Sequence, residues 1–171
     1  MALRPGRTVR RLERPYTRIS KTKPRKSYVV GVPFAKIHIF EMGNRKKEFD
    51  TTIWLISRRS IQIRDNSLES ARVVANKILE RVLGPENYFM KVLVFPHHIL
   101  REHTLATGAG ADRFSSGMRH SFGKPVGRAV QIRKGQEILM LKVNKKDLVI
   151  GRKALRVSHT KLPTPCNIVV E

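Results

Sequence analysis

Asn66-Ser67-Leu68-Glu69-Ser70-Ala71-Arg72-Val73-Val74-Ala75-Asn76-Lys77-Ile78-Leu79-Glu80-Arg81-Val82-Leu83-Gly84-Pro85 is the stretch that decides the fold. Leu68, Ala71, Ala75, Ile78 and Val82 fall on one stripe at helical spacing, which predicts a helix over residues 67–83. Asn66 stands at the cap, with Glu69 three residues on in a capping-box arrangement. Gly84 and Pro85 stop the helix.

Around this helix the residues favour strands. Thr51-Thr52-Ile53-Trp54-Leu55-Ile56 is rich in β-branched and aromatic side chains, and Ile61-Gln62-Ile63 alternates. Residues 88–95 form a compact apolar strand ending at Pro96. Upstream, Lys36-Ile37-His38-Ile39-Phe40 reads as a strand closed by Gly43-Asn44. Downstream, residues 128–132 and 136–143 predict a hairpin turning at Arg133-Lys134-Gly135. A second helix is expected over 145–160, capped by Asn144, with Asp147 in its positive first turn. Ile150, Ala154 and Leu155 face inward beside the small Gly151. Arg152, Lys153, Arg156, His159 and Lys161 make the outer face basic. Pro163 and Pro165 end this helix, and residues 167–170 read as a closing strand. No internal repeat is visible. Two helices among antiparallel-looking strands give an α+β fold, a two-layer sandwich of helices on a mixed, mostly antiparallel sheet.

Charge sets the function class. Thirty-five Lys and Arg against 13 Asp and Glu give a net charge of +22 in 171 residues. Hydrophobic residues make up 40%, so a core can be buried. The excess calls for a polyanion. It is concentrated in residues 1–27, where Arg4, Arg7, Arg10, Arg11, Arg14, Arg18, Lys21, Lys23, Arg25 and Lys26 face one acid, Glu13. Pro5, Pro15 and Pro24 break any helix there. We read 1–27 as a basic extension, disordered alone and ordered along phosphates. Residues 28–171 then form a single domain carrying a long loop at 97–127.

Other classes fail on specific residues. No apolar run approaches the roughly 20 residues needed to span a bilayer. The opening lacks a signal-peptide core, and Ala2 stands where myristoylation needs glycine. A membrane partner is therefore not expected. The single cysteine, Cys166, forms neither an intrachain disulfide nor a cysteine zinc cluster, which suits a reduced, cytoplasmic protein. A dinucleotide fingerprint beginning at Gly108 needs glycine at 113 and meets Arg113. A P-loop ending at Gly123-Lys124 needs glycine at 118 and meets Met118. His97, His98, His103 and His120 lack metal-ligand spacing. Acids are sparse, and Ser115 and Ser116 lack a nucleophile-elbow context. No catalytic residue, metal or cofactor is assigned.

The loop itself carries the remaining chemistry: Gly108-Ala109-Gly110-Ala111-Asp112-Arg113-Phe114-Ser115-Ser116-Gly117-Met118-Arg119-His120-Ser121-Phe122-Gly123-Lys124-Pro125-Val126-Gly127. Its glycines allow close backbone approach to another surface. Arg113, Arg119, Lys124 and Arg128 are spaced cations for phosphates, with Asp112 an internal partner for Arg113. Phe114, His120 and Phe122 either stack on bases or pin the loop to the core; for the two phenylalanines packing is favoured.

This passage closely resembles the signature of the L-ten-e family of large-subunit ribosomal proteins, the archaeal and eukaryotic counterpart of bacterial L-sixteen. Residues 36–43, 71–77 and 94–101 resemble further family segments, so nearly the whole chain is covered. Ending at Glu171 without the long eukaryotic C-terminal extension, it resembles the archaeal branch. The resemblance implies an α/β sandwich with two helices. It implies a structural, non-enzymatic role in the large subunit, on rRNA near the tRNA path and the peptidyl-transferase region. The loop from Arg101 to Asp112, with Glu102, His103, Thr104, Gly108 and Gly110, would then reach toward bound tRNA. Neighbouring ribosomal proteins are implied partners, and no homo-oligomer is expected. The alternative is an RNA-processing or RNA-modifying enzyme, which would need a nucleotide loop or a His/acid cluster. A general nucleic-acid-condensing protein would fit the charge but not the core.

Overall fold

In the computed structural model, residues 3–17, 20, 22–26, 29–115 and 117–171 are described, without the side chain of Asp112. The expected cations Arg18 and Lys21, the boundary at 27/28 and the Asp112–Arg113 pairing therefore lie outside what is described. The elements are β1 (Glu41–Gly43), β2 (Thr51–Ser57), β3 (Ile61–Arg64), α1 (Asp65–Leu83), β4 (Tyr88–Val92), β5 (His98–Glu102), β6 (Lys124–Ile132), β7 (Glu137–Val143), α2 (Leu148–His159) and β8 (Cys166–Val170). The strands form two sheets, ordered β1-β4-β7-β2-β8 and β3-β6-β5. All of the pairs are antiparallel, so the fold class is α+β.

The large sheet follows from alternation. Thr51, Ile53, Leu55 and Ser57 are buried while Thr52, Trp54 and Ile56 are half-buried. Ile53 opposes Leu141, and Leu55 opposes Leu139. The register then slips, Ile56 opposing Glu137, which sends the extra residue Ile138 into the core. α2 lies directly on this sheet at Gly151, where a Cβ would stand 2.8 Å from Ile53 Cδ1.

Several expectations are corrected. The segment 128–143 turns at Gly135 (φ +82°), but β6 and β7 do not pair with each other. β6 pairs with β3 through Ile61–Ile132 and Ile63–Val130, while β7 pairs with β2. The link 58–60 between β2 and β3 changes sheet at the same place. The two sheets are thus halves of one antiparallel ribbon, bent at a corner. Ser57 pins that corner, its N–H donating to Gln136 O and its carbonyl accepting from Gly135 N–H.

The helix α1 begins at Asp65, before Asn66, and no capping box forms. The Asp65 carboxylate takes the amides of Lys36 (3.0 Å) and Asn66 (2.8 Å). It suits the positive helix end. Glu69 instead pairs with Arg72, which is buried and also reaches Met42 Sδ at 3.1 Å. Glu69 raises the Arg72 pKa. Leu79 rather than Val82 completes the buried stripe; Val82, in the last turn, is 57% exposed.

The strand expected at 36–40 starts only at Glu41, and the Lys36 amide bonds the Asp65 carboxylate rather than a neighbouring strand. The strand expected at 88–95 stops at Val92. The helix expected at 145–160 is a 3-10 turn, Lys145–Asp147, followed by α2, and the Asn144 side chain makes no cap bond.

Candidate nucleic-acid interface

The small sheet presents a row of polar side chains on one face. Gln62 of β3 opposes Gln131 of β6, and Ala129, two residues along β6 on the same face, opposes His98 of β5. Gln62 and His98 are 2% and 5% exposed, so each needs partners. The basic extension supplies them. Gln62 Nε2 donates to Val9 O at 3.0 Å, and the Gln62 N–H donates to Arg10 O at 3.0 Å. Gln131 Nε2 donates to Glu13 O at 2.9 Å and to Gln62 Oε1 at 3.0 Å. Tyr16 N–H donates to His98 Nδ1 at 2.9 Å, and Ile99 N–H donates to Tyr16 O at 3.2 Å. Residues 9–16 therefore cross the sheet as a strap, from β3 over β6 to β5.

Apart from Tyr16 the strap is held by its backbone, so its arginines are left exposed. Arg7, Arg10, Arg11 and Arg14 are all exposed. Lys23, Arg25 and Lys26 are exposed as well, the last two in the turn Pro24–Lys26. Arg4 pairs with Glu102, and its carbonyl accepts from Arg64 Nη1 at 2.7 Å. Burial lowers the His98 pKa, with Glu13 raising it and Arg101 lowering it more weakly. Imidazole thus stays neutral with Nδ1 as acceptor, as the Tyr16 bond requires.

The Gly-rich loop is shorter than its sequence indicates, because β5 and β6 take both ends of 97–127. Arg101 and Glu102 belong to β5, so the part outside the strands begins at His103. The Arg101 guanidinium lies 4.3 Å from the Tyr16 ring centre and 3.6 Å from that of Phe122, and it donates to Phe122 O. The two rings meet edge to face at 5.5 Å and 71°. Arg101 thereby clamps the strap to the loop. Gly123 (φ +90°) closes the loop against β5, where a Cβ would stand 3.2 Å from Arg101 Cβ and the Glu102 backbone.

Thr104, Gly108, Gly110, Arg113, Arg119, His120 and Lys124 are exposed, and His103 is half-buried. Arg128 is half-buried and donates through Nε to Pro33 O at 3.1 Å, so part of its donor set is spent internally. Packing does not account for Phe114, which is 75% exposed; Phe122 is 65% exposed yet carries the Arg101 contact. On α2, Arg152, Lys153 and Arg156 are exposed as expected.

Sequence reasoning missed Tyr16, the clamp role of Arg101, and the Gln62–Gln131–His98 row. The signal was the glutamine set between isoleucine and valine neighbours in two strands, which marks a second sheet face needing polar cover. Among the described residues no group of three His, Cys, Asp or Glu could hold a metal ion. His97 is exposed against Phe95 while His98 is buried. Burial pushes the Cys166 thiol up to about 11, away from nucleophilic use. No helix is long and apolar enough to cross a membrane among the described residues.

The family model described as Ribosomal protein L16p/L10e matches residues 16–169. The large ribosomal subunit protein uL16 of Archaeoglobus fulgidus is 48% identical over the whole chain, covering 94% of that protein. The Methanococcus maripaludis protein of the same name is 47% identical, over 99% of this chain and 95% of its own length. That of Thermofilum pendens is 45% identical over the whole chain and 98% of its length. The extent of these matches, from the strap to the last strand, shows that the chain belongs to the L16p/L10e family of ribosomal proteins, in its archaeal type.

Proposed function

We propose that this chain, a structural and non-enzymatic constituent of the ribosome, binds large-subunit rRNA in the cytoplasm near the tRNA path and the peptidyl-transferase region. Three basic surfaces make the contact: the strap, the Gly-rich loop and the outer face of α2. The segment from His103 toward Asp112 reaches toward bound tRNA, and neighbouring ribosomal proteins complete the surroundings. The observation that carries this reading is the strap, whose backbone is tied down by Gln62, Gln131 and His98 while its Arg10, Arg11 and Arg14, and Arg7 just ahead of it, are exposed. Such a rack of cations, held before binding, loses little ordering entropy when it meets phosphates.

The test is the salt dependence of binding to protein-free large-subunit rRNA. Replacing those four arginines with glutamine should flatten the log K against log salt slope by roughly 3–4 units, at about 0.7–0.9 per phosphate contact. An unchanged slope would remove the strap from the interface. Sedimentation of the tagged chain with large subunits at moderate salt checks the assembly itself.

A further inference from the structure

Beside the strap lies an open groove of about 1070 Å³, bounded by the start of the extension, the segment 31–36 and the end of the small sheet. Leu100, Val126 and Val32 give it an apolar lining. Phe34 stands on its rim with 89% of its surface exposed. Arg128 fixes the base of that side chain by donating to the adjacent Pro33 O. Lys36 and Arg64 line the same groove. The acids there are already committed: Asp65 accepts from two amides and Glu102 is paired with Arg4. The groove therefore combines an exposed ring, an apolar floor and an excess of cations over acids, with one Arg64 donor already given to Arg4 O.

We propose that this groove receives one unpaired RNA base, turned out of its stack onto Phe34, with the flanking phosphates on Lys36 and Arg64. The assignment rests on the rRNA-binding reading and adds a site to it. Unpaired bases are recognised by stacking on aromatic rings, while neighbouring cations take the backbone. The volume slightly exceeds the roughly 300–1000 Å³ typical of ligand pockets, room for a nucleotide and part of its backbone. The cationic lining favours a polyanion over a neutral or basic peptide. Arg128 holds the backbone at Pro33, which keeps the Phe34 ring at the groove while its exposed faces remain open for stacking.

The test uses the full chain assembled into large subunits, with photoreactive p-benzoylphenylalanine in place of Phe34. Irradiation should join it to an rRNA nucleotide. A crosslink to protein, or none, overturns the proposal. In parallel, Phe34→Ala should weaken binding to protein-free large-subunit rRNA at least about 5-fold with an unchanged salt slope, as loss of one stacked base does. Lys36→Gln should flatten that slope by about one unit or slightly less. Full affinity in Phe34→Ala also overturns the groove. The wild-type chain in the same assay separates the two claims, since its own failure to bind rRNA would sink the broader reading. Micromolar binding of adenosine monophosphate to the free chain without an rRNA crosslink would make this a small-ligand site and overturn the assignment.

Discussion

Gln131→Leu should detach the strap without removing a charge. Gln131 Nε2 donates to Glu13 O and to Gln62 Oε1. Each bond contributes about 1 kcal/mol net. The Gln62 side chain is 2% exposed, so orphaning its oxygen adds roughly 1–3 kcal/mol. Leucine returns about 1 kcal/mol through apolar burial. The Gln62 bond lies within the sheet and its loss is already contained in that orphaned oxygen, so the sum is about 1–3 kcal/mol, spent on opening the strap rather than on unfolding the core, because Ile63, Val130 and Ile132 pack on the other face. Hydrogen exchange reads this directly. The Gln62 and Ile99 amides donate to Arg10 O and Tyr16 O, and their protection should fall at least about 5-fold, the equivalent of some 1 kcal/mol. Affinity for large-subunit rRNA should drop by as much as the same factor at an unchanged salt slope, since every arginine is still present. If both amides keep wild-type protection, the glutamine row does not hold the strap.

Three other outcomes are expected. Gly43→Ala should cost about 2–4 kcal/mol in urea unfolding, because Gly43 has φ +85° and a Cβ there would stand 2.2 Å from the Tyr88 carbonyl oxygen. Stability should be full above about pH 6.5 and decline as pH falls through that ordinary imidazole value toward the lowered His98 value, because the unfolded chain takes the proton first. His98→Asn should flatten this part of the urea midpoint profile between pH 7.5 and 5.5. Shortening the loop within residues 104–109 should leave the domain folded and incorporated, since halving a loop changes closure entropy by only about 0.6 kcal/mol, while peptide synthesis slows. Normal synthesis by fully incorporated variant would refute the tRNA-side reading, and failure to fold would refute the independence of the loop.

The sequence carried local periodicity well and strand partnership poorly. β2 and α1 were legible because their apolar spacing is regular over a full element. Residues 128–143 show the limit: two strands joined by a tight turn read as a hairpin, yet β6 pairs with β3 while β7 is taken on both sides by β2 and β4, a partnership no local pattern displays. β5 was hidden because His98 and Arg101 interrupt its apolar pattern and glycines follow soon after. The cations of the interface were legible by count alone. The Arg101 clamp and the glutamine row were not, because they join residues 21 to 118 positions apart and exist only once β3, β6 and β5 lie side by side.

The strap also bears on aggregation. A three-stranded sheet has two raw edges, and unpaired edge amides invite strand addition from another copy. Here β3 gives its Gln62 amide to Arg10 and β5 gives its Ile99 amide to Tyr16, so one segment blunts both edges. The arginines beside those bonds repel an approaching copy of the same chain. Strand addition by a second copy at these two amides would therefore first require the strap to leave, an opening that Gln131→Leu would make easier.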